Sequence, residues 1–304
     1  MNVNELLANK KMLEKAIDNL VFGSIEIREK NDKKYIYVHS RIDGISRSKY
    51  AGEYSDELYN LILENNKRAK EYKKKLKEIK KELGLMQYES IELSDKVKLN
   101  IDLARRCLVD SIYKQAILEG VATTYSDTET IVNGGKVNDM TAIDISKVVN
   151  LKRAWDFILS EGTISYPTNY AVLCQINEIV EDGFSYTAGK IRSVPVSIGG
   201  SKYIPPLPYE SQVKEDLSNL LSKDDSYEVG IELLLYVMKK QLFLDGNKRT
   251  AVIFANHYLI SRGMGLIVIP AELVPDYKKL LIDYYENGSK EIKEFLYNKC
   301  LTKI

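Results

Sequence analysis

The sequence predicts a mainly helical core preceded by a small α+β module, and three observations carry that reading. Apolar residues recur at helical spacing through most of the chain beyond residue 85. Ahead of that point, short alternating stretches separated by turn residues read as a three-stranded antiparallel sheet between two helices. One turn, Gln241 to Thr250, joins two apolar helical patterns and gathers an acid, a glycine, an amide and two bases. The division places a module at residues 1–85 and a core domain at 86–304.

Glu5 to Leu20 reads as the first helix. Ser24 to Arg28, Tyr35 to Ser40 and Ile45 to Tyr50 alternate like strands, with Lys30-Asn31-Asp32-Lys33 and Asp43-Gly44 as their turns. Ser55 to Leu83 reads as one long charged helix that stops before Gly84. Arg28, Lys34, Arg41, Arg47 and Lys49 interleave with Tyr35, Tyr37 and Tyr50. That composition suits a nucleic-acid groove or a protein target as well as a solvated outer face. Lys67 to Lys81 is interrupted by Glu71 and Glu78 and reads as a solvated helix face. Ser94 to Val121 is a second long helical pattern, with Gly120 as its C-terminal stop. Val121 to Gly135 reads as a loop, and Asp144 to Ser160 as a helix with Trp155 in the core. Asn169 to Val180 is another helix. Val194 to Ile198 and Lys202 to Ile204 alternate about Gly199-Gly200 like a hairpin, closed by Pro205-Pro206, which have no N–H to donate. Gln212 to Leu221, Tyr227 to Lys239, Ala251 to Ile260, Pro270 to Asn287 and Ser289 to Leu301 complete the helices.

A formal net charge of +1 argues against a wholesale nucleic-acid or membrane coat. No apolar run approaches the roughly 20 residues of a membrane span, and Met1 to Lys11 is polar, unlike a signal peptide. The expectation is a cytoplasmic chain with no membrane partner. Cys107, Cys174 and Cys300 are scattered and suit free thiols, while His39 and His257 belong to no zinc-ligand spacing. His257 lies along the helix after the turn and reads as packing or surface.

In Gln241–Thr250, Gly246 permits a backbone conformation that residues with a Cβ avoid. Asn247, Lys248 and Arg249 fall at the start of the following helix, where unpaired N–H groups and the helix field favour anions. Lys and Arg add charge where a phosphate would sit. Asp245 beside them suits Mg²⁺, which binds through one or two carboxylates plus phosphate oxygens. The stretch reads as a nucleotide phosphate site, against the plainer reading of a capped helical corner.

The stretch resembles the signature of the Fic family (Fido fold, filamentation induced by cyclic AMP): His-x-Phe-x-Asp/Glu-Gly-Asn-Gly/Lys-Arg. Phe243, Asp245, Gly246, Asn247, Lys248 and Arg249 match it in type and spacing, and Gln241 stands where the family has His. The resemblance spans roughly Asp110 to the C-terminus and implies a bacterial-type Fic protein: a helical Fic core with a flap β-hairpin, ATP and Mg²⁺ as its small-molecule partners, and transfer of AMP to a Ser, Thr or Tyr hydroxyl of a target protein. It implies catalytic positions at Gln241, Asp245 and Arg249, phosphate contacts at Gly246, Asn247, Lys248 and Arg249, and the metal at Asp245. Gln241 has no useful proton affinity near neutral pH, and losing a general base typically costs about 10²–10⁴-fold. Activity is therefore expected to be impaired, and a catalytically silent nucleotide-binding module is the alternative. The Asn247-Lys248-Arg249-Thr250-Ala251 run is also similar to the death-on-curing (Doc) subgroup, which transfers the γ-phosphate.

Two further features are carried by the resemblance. Glu119-Gly120 is similar to the end of the family's inhibitory helix, with Gln115 at its Ser/Thr position. The arginine that would pair with that glutamate falls at Val252, so the expected partner is missing. Val194, Val196 and Ile198 lie where the family's flap holds a target segment by strand addition.

Overall fold

A computed structural model of the chain describes residues 3–30, 33–42, 45–85 and 93–303. It divides into two compact units, Met1–Glu92 and Leu93–Ile304.

In the first unit, helix α1 (Val3–Asp18) precedes strands β1 (Ser24–Lys30), β2 (Lys33–Ile42) and β3 (Ile45–Glu53), and helix α2 (Asp56–Leu85) follows. The sheet is antiparallel in the order β1-β2-β3. Asn31-Asp32 and the turn at Asp43-Gly44 lie outside the described residues. Ile36 and Val38 point to the α2 side and bury against Ile62. Gly23 is required where it stands: its φ is 146°, and a Cβ would run into the His39 carbonyl. Asn66 pins the entry to β1 by bonding both Gly23 backbone groups, at 2.7 and 3.0 Å. Helix α2 continues through Gly84 rather than stopping before it.

The register divides the basic residues between the two faces of the sheet. Tyr35, Tyr37 and Tyr50 share the outer face, and from β1 they oppose Arg28 and Glu26. Lys34 and Lys49 are even- and odd-numbered neighbours of those tyrosines and fall on the opposite face. Arg28 lies over the Tyr37 ring at 4.5 Å but is held by Glu26 through two 2.9 Å hydrogen bonds. Glu26 also takes His39 at 2.5 Å, and Lys33 pairs with Glu53 at 3.1 Å. Among the described side chains, these charges pair with one another.

The second unit is helical and is organised about α11 (Asn247–Ser261), which is buried on nearly every side. Around it pack α3 (Asp95–Arg106), α6 (Ala142–Ile158), α8 (Tyr170–Val180) and α10 (Tyr227–Lys240). A helix that is apolar all round belongs in the centre of a core. The single long helix expected over Ser94–Val121 is instead two, broken at Cys107, with α4 (Leu108–Leu118) as the second. The stretch expected as a loop contains α5 (Tyr125–Val132), started by the Thr124 hydroxyl accepting from the Asp127 N–H. Short α7 (Glu161–Ile164) follows α6, and α9 (Glu210–Leu221) precedes α10. A small antiparallel pair, β4 (Leu266–Ile267) with β5 (Leu301–Thr302), brings the end of the chain back against α11. Asn256 on α11 fixes it there, donating to the Ile267 carbonyl and accepting from its N–H. Helices α12 (Val274–Asn287) and α13 (Glu291–Phe295) lie between those strands. Trp155 is fully buried. Among the described residues, no helix is long and apolar enough to cross a membrane.

The flap segment turns at Gly199-Gly200, with Ser201 N–H bonding the Ile198 carbonyl at 3.1 Å, but its limbs form no strand ladder. The reason lies in its donors and acceptors. Pro195, Pro205 and Pro206 offer no N–H, and the carbonyls of Val194, Pro205 and Pro206 all accept from the Arg192 guanidinium. One buried side chain does the joining that cross-strand bonds were expected to do. Val194 is exposed, whereas Val196 and Ile198 are half-buried and Ile198 packs against the core.

Candidate active site

The turn between α10 and α11 begins at Gln241, whose φ of 46° makes it the one non-glycine residue in the left-handed region among the described residues. Its side chain folds back onto the turn: Nε2 donates to the Met238 carbonyl at 2.7 Å, and Oε1 accepts from Asn247 Nδ2 at 3.2 Å. Asn247 braces the turn from inside. Its Oδ1 accepts from the Phe243 N–H at 2.9 Å and its Nδ2 donates to the Phe243 carbonyl at 2.8 Å. The Asn247 side chain, expected to reach a phosphate, is thus spent internally, and its backbone N–H is what remains.

Gly246 caps α11 with φ 73° and no side-chain bond. The first N–H to close a bond into the turn is that of Thr250, to the Gly246 carbonyl at 2.9 Å. The N–H groups of Asn247, Lys248 and Arg249 make no protein hydrogen bond among the described residues. A Cβ at Gly246 would come within 2.5 Å of Glu181 Oε1, so both backbone shape and space demand glycine. Asp245 is 75% exposed at its side chain, with Oδ1 accepting from the Gly246 N–H at 2.7 Å and the rest of the carboxylate available. Those features fit a hard cation beside an anion.

Arg249 is placed differently from an open phosphate ligand. Its side chain is 4% exposed and sits among carboxylates: Glu181 at 2.8 Å, Glu119 at 3.8 Å and Asp245 at 3.9 Å. The Glu181 contact is an ion pair out of hydrogen-bond alignment. Arg249 Nε and Nη1, Glu181 Oε1 and Glu119 Oε1 are all buried without a hydrogen-bond partner. Glu119 also faces Lys248 at 3.6 Å. The glutamate whose partner was expected at position 252 therefore has two others, while Val252 is packed in the core. Gly120 follows Glu119 in the left-handed region, φ 75°, and ends α4. Burial is the main cause that pushes the Glu181 carboxyl up to about 7; Arg249 pulls it down, and Asp245 and Glu119 push it further up.

Sequence reasoning missed the residues that hold this turn in place. Gln115, seen only as a replacement within a motif, donates from α4 to the Arg249 carbonyl at 2.7 Å and accepts from the Trp155 indole at 3.1 Å. Asn177 on α8 donates to the Asp245 carbonyl and to Thr250 Oγ1, each at 3.1 Å, and accepts from the Gly189 N–H at 2.9 Å. Arg192 donates to the Gln241 carbonyl at 2.5 Å, capping α10 while it holds the flap. Its position after Gly189-Lys190-Ile191, with no acid near it in sequence, was the one available hint. Glu181 closes an apolar helix, where an acid is an unusual choice. His257 is fully buried, within 2.9 Å of both the Thr168 hydroxyl and the Thr163 carbonyl, and desolvation pulls its pKa down. It is a packing residue remote from proton transfer to a ligand.

A helical core organised on one buried helix, with an uncapped glycine turn at its start and a flap clamped beside it, is a Fic-type fold. Residues 167–259 match the sequence model of the Fic/DOC family. Solved structures agree on the fold. Fic-1 from C. elegans (residues 134–508) aligns with a TM-score of 0.55 at 17% identity, covering 80% of this chain and 77% of that one. A Fic-domain-containing signaling protein from Bacteroides thetaiotaomicron gives 0.52 at 18% identity, over 66% and 80%. A Fic family protein from Desulfovibrio desulfuricans gives 0.50 at 18%, over 67% and 64%. No curated protein matches the sequence significantly.

Proposed function

We propose that the chain binds ATP with Mg²⁺ at the α10–α11 turn and transfers AMP to a hydroxyl of a target protein, with chemistry slowed by Gln241. The observation that carries this reading is the run of unpaired N–H groups at Asn247, Lys248 and Arg249 beside the exposed Asp245 carboxylate. Asp245 would hold the metal, which when bound neutralises phosphate charge. Lys248 adds a point charge at the same helix end. The chain's own contribution is positioning and charge stabilisation, which supply much of phosphoryl-group transfer. Proton removal is the weak part, because the Gln241 amide is neutral and already bonded to Met238 and Asn247.

That internal bonding favours a second reading, a nucleotide-binding domain silent in transfer. Label transfer from α-labelled ATP, compared for the unmodified chain, Gln241→His and Asp245→Ala, separates the two. Transfer by the unmodified chain that is lost in Asp245→Ala supports slow catalysis. Transfer by Gln241→His alone supports the silent domain. Absence of ATP binding at high Mg²⁺ in all three overturns both.

A further inference from the structure

We propose that Glu181 is an affinity-setting residue of the nucleotide site: reaching Arg249 from α8, in addition to the inhibitory-type Glu119, it holds the site in a low-affinity state. The inference rests on the ATP reading above and concerns which groups oppose it.

Arg249 is the one fixed, permanently charged group at the start of α11, and its guanidinium is enclosed rather than presented. Glu181 reaches it from the end of α8, and Glu119 from the end of α4. Neither contact is an aligned hydrogen bond, so donors Nε and Nη1 of Arg249 are left without acceptors in the interior. Buried donors of this kind are costly unless an acceptor arrives. A phosphate oxygen supplies acceptors; two misaligned carboxylates supply charge but not geometry. Glu181 also lies directly beneath Gly246, so its carboxylate faces the backbone of the turn whose N–H groups would receive an anion. Charged groups close to it come from every side: Arg249 of α11, Asp245 of the turn, Glu119 of α4 and Lys147 of α6. Around the turn, Lys248 and Arg249 face three carboxylates, Glu119, Glu181 and Asp245, at the point where a polyanion must bind, with Lys147 of α6 the further base near Glu181. Restraint therefore does not need an arginine at position 252. It acts on Arg249 itself.

The test is calorimetric titration of ATP–Mg²⁺ into the full chain at pH 8, for the unmodified protein, Glu181→Gln, Glu119→Gln and the double variant, with thermal unfolding of each as a check on folding. Glu181→Gln keeps the side-chain shape and removes the charge, and a gain in ATP affinity of roughly tenfold is expected. Glu119→Gln gives a smaller gain, since its contact is longer, and the double variant exceeds either alone. Glu181→Asp keeps the charge and withdraws it by one methylene; its expected gain is intermediate, and it serves if Glu181→Gln does not fold. Equal or weaker ATP binding by a folded Glu181 variant, while the unmodified chain binds, overturns the clamp and leaves the nucleotide reading standing. If no variant binds ATP, the nucleotide reading fails and the clamp falls with it.

Discussion

The outer face of the N-terminal sheet and the α10–α11 turn both bring bases together with acids and polar groups, yet they handle charge in opposite ways. On the sheet, Glu26, Arg28, His39, Lys33 and Glu53 pair in solvent through aligned bonds. At the turn, Arg249, Glu119 and Glu181 are buried and approach one another without alignment, leaving polar atoms unpaired. Exposed pairs contribute little because water competes for each partner. Buried and imperfectly paired groups are consequential because nothing else can satisfy them. Composition alone made the two regions look alike as anion sites; burial and register separate them.

The comparison can be broken from the buried end first. Arg192→Ala removes the partner of carbonyls on α10 and on both limbs of the flap, and a loss of about 4 kcal/mol in unfolding free energy is expected by chemical denaturation. A loss below about 1 kcal/mol would mean that the flap does not depend on this clamp.

Glu181 provides a pH signature. Its carboxyl is raised from an ordinary 4.5 to about 7, so the folded chain keeps a proton that the unfolded chain has released. Its contribution to stability is full below pH 4.5 and is lost as pH rises through 7. Unfolding of Glu181→Gln, compared with the unmodified chain, should shift in the variant's favour by up to about 3 kcal/mol between pH 4.5 and 8. A pH-independent difference between the two would contradict the raised carboxyl.

Asn247→Ala removes the brace inside the turn and should cost about 2 kcal/mol, with ATP affinity falling in parallel because the N–H groups of the turn lose their fixed positions. Stability lost with affinity intact would show that the turn keeps its shape without the brace. At the exposed end, Glu26→Gln should leave the denaturation midpoint unchanged. The same variant frees Arg28 beside Tyr37, and salt-sensitive nucleic-acid binding appearing only then would show that the pairing had been masking a real surface.

What the sequence disclosed follows from how far apart the cooperating residues lie. The turn was legible because Phe243 to Arg249 are consecutive and their types dictate a glycine corner at a helix start. Most helices were legible from apolar period alone. Gln115, which meets Arg249 across 134 positions, and Asn177, which meets Asp245 across 68, carry no local sign of their partners. The break at Cys107 was hidden because no glycine or proline marks it. Helix α5 was missed although Thr124 and Asp127 form a capping pair, because its polar composition outweighed the cap. The flap ladder was expected from alternation, and a guanidinium displaced it.

The left-handed backbone at Gln241 has a consequence for how this chain's chemistry can change. Among residues with a Cβ, that conformation is tolerated best by a small set that includes histidine. The backbone of position 241 is held by the end of α10 and by Arg192 gripping its carbonyl, contacts that do not use its side chain. The codons for glutamine and histidine differ only in their last base. Gain or loss of a proton acceptor at this site is therefore a single-base change at a position whose backbone is already left-handed.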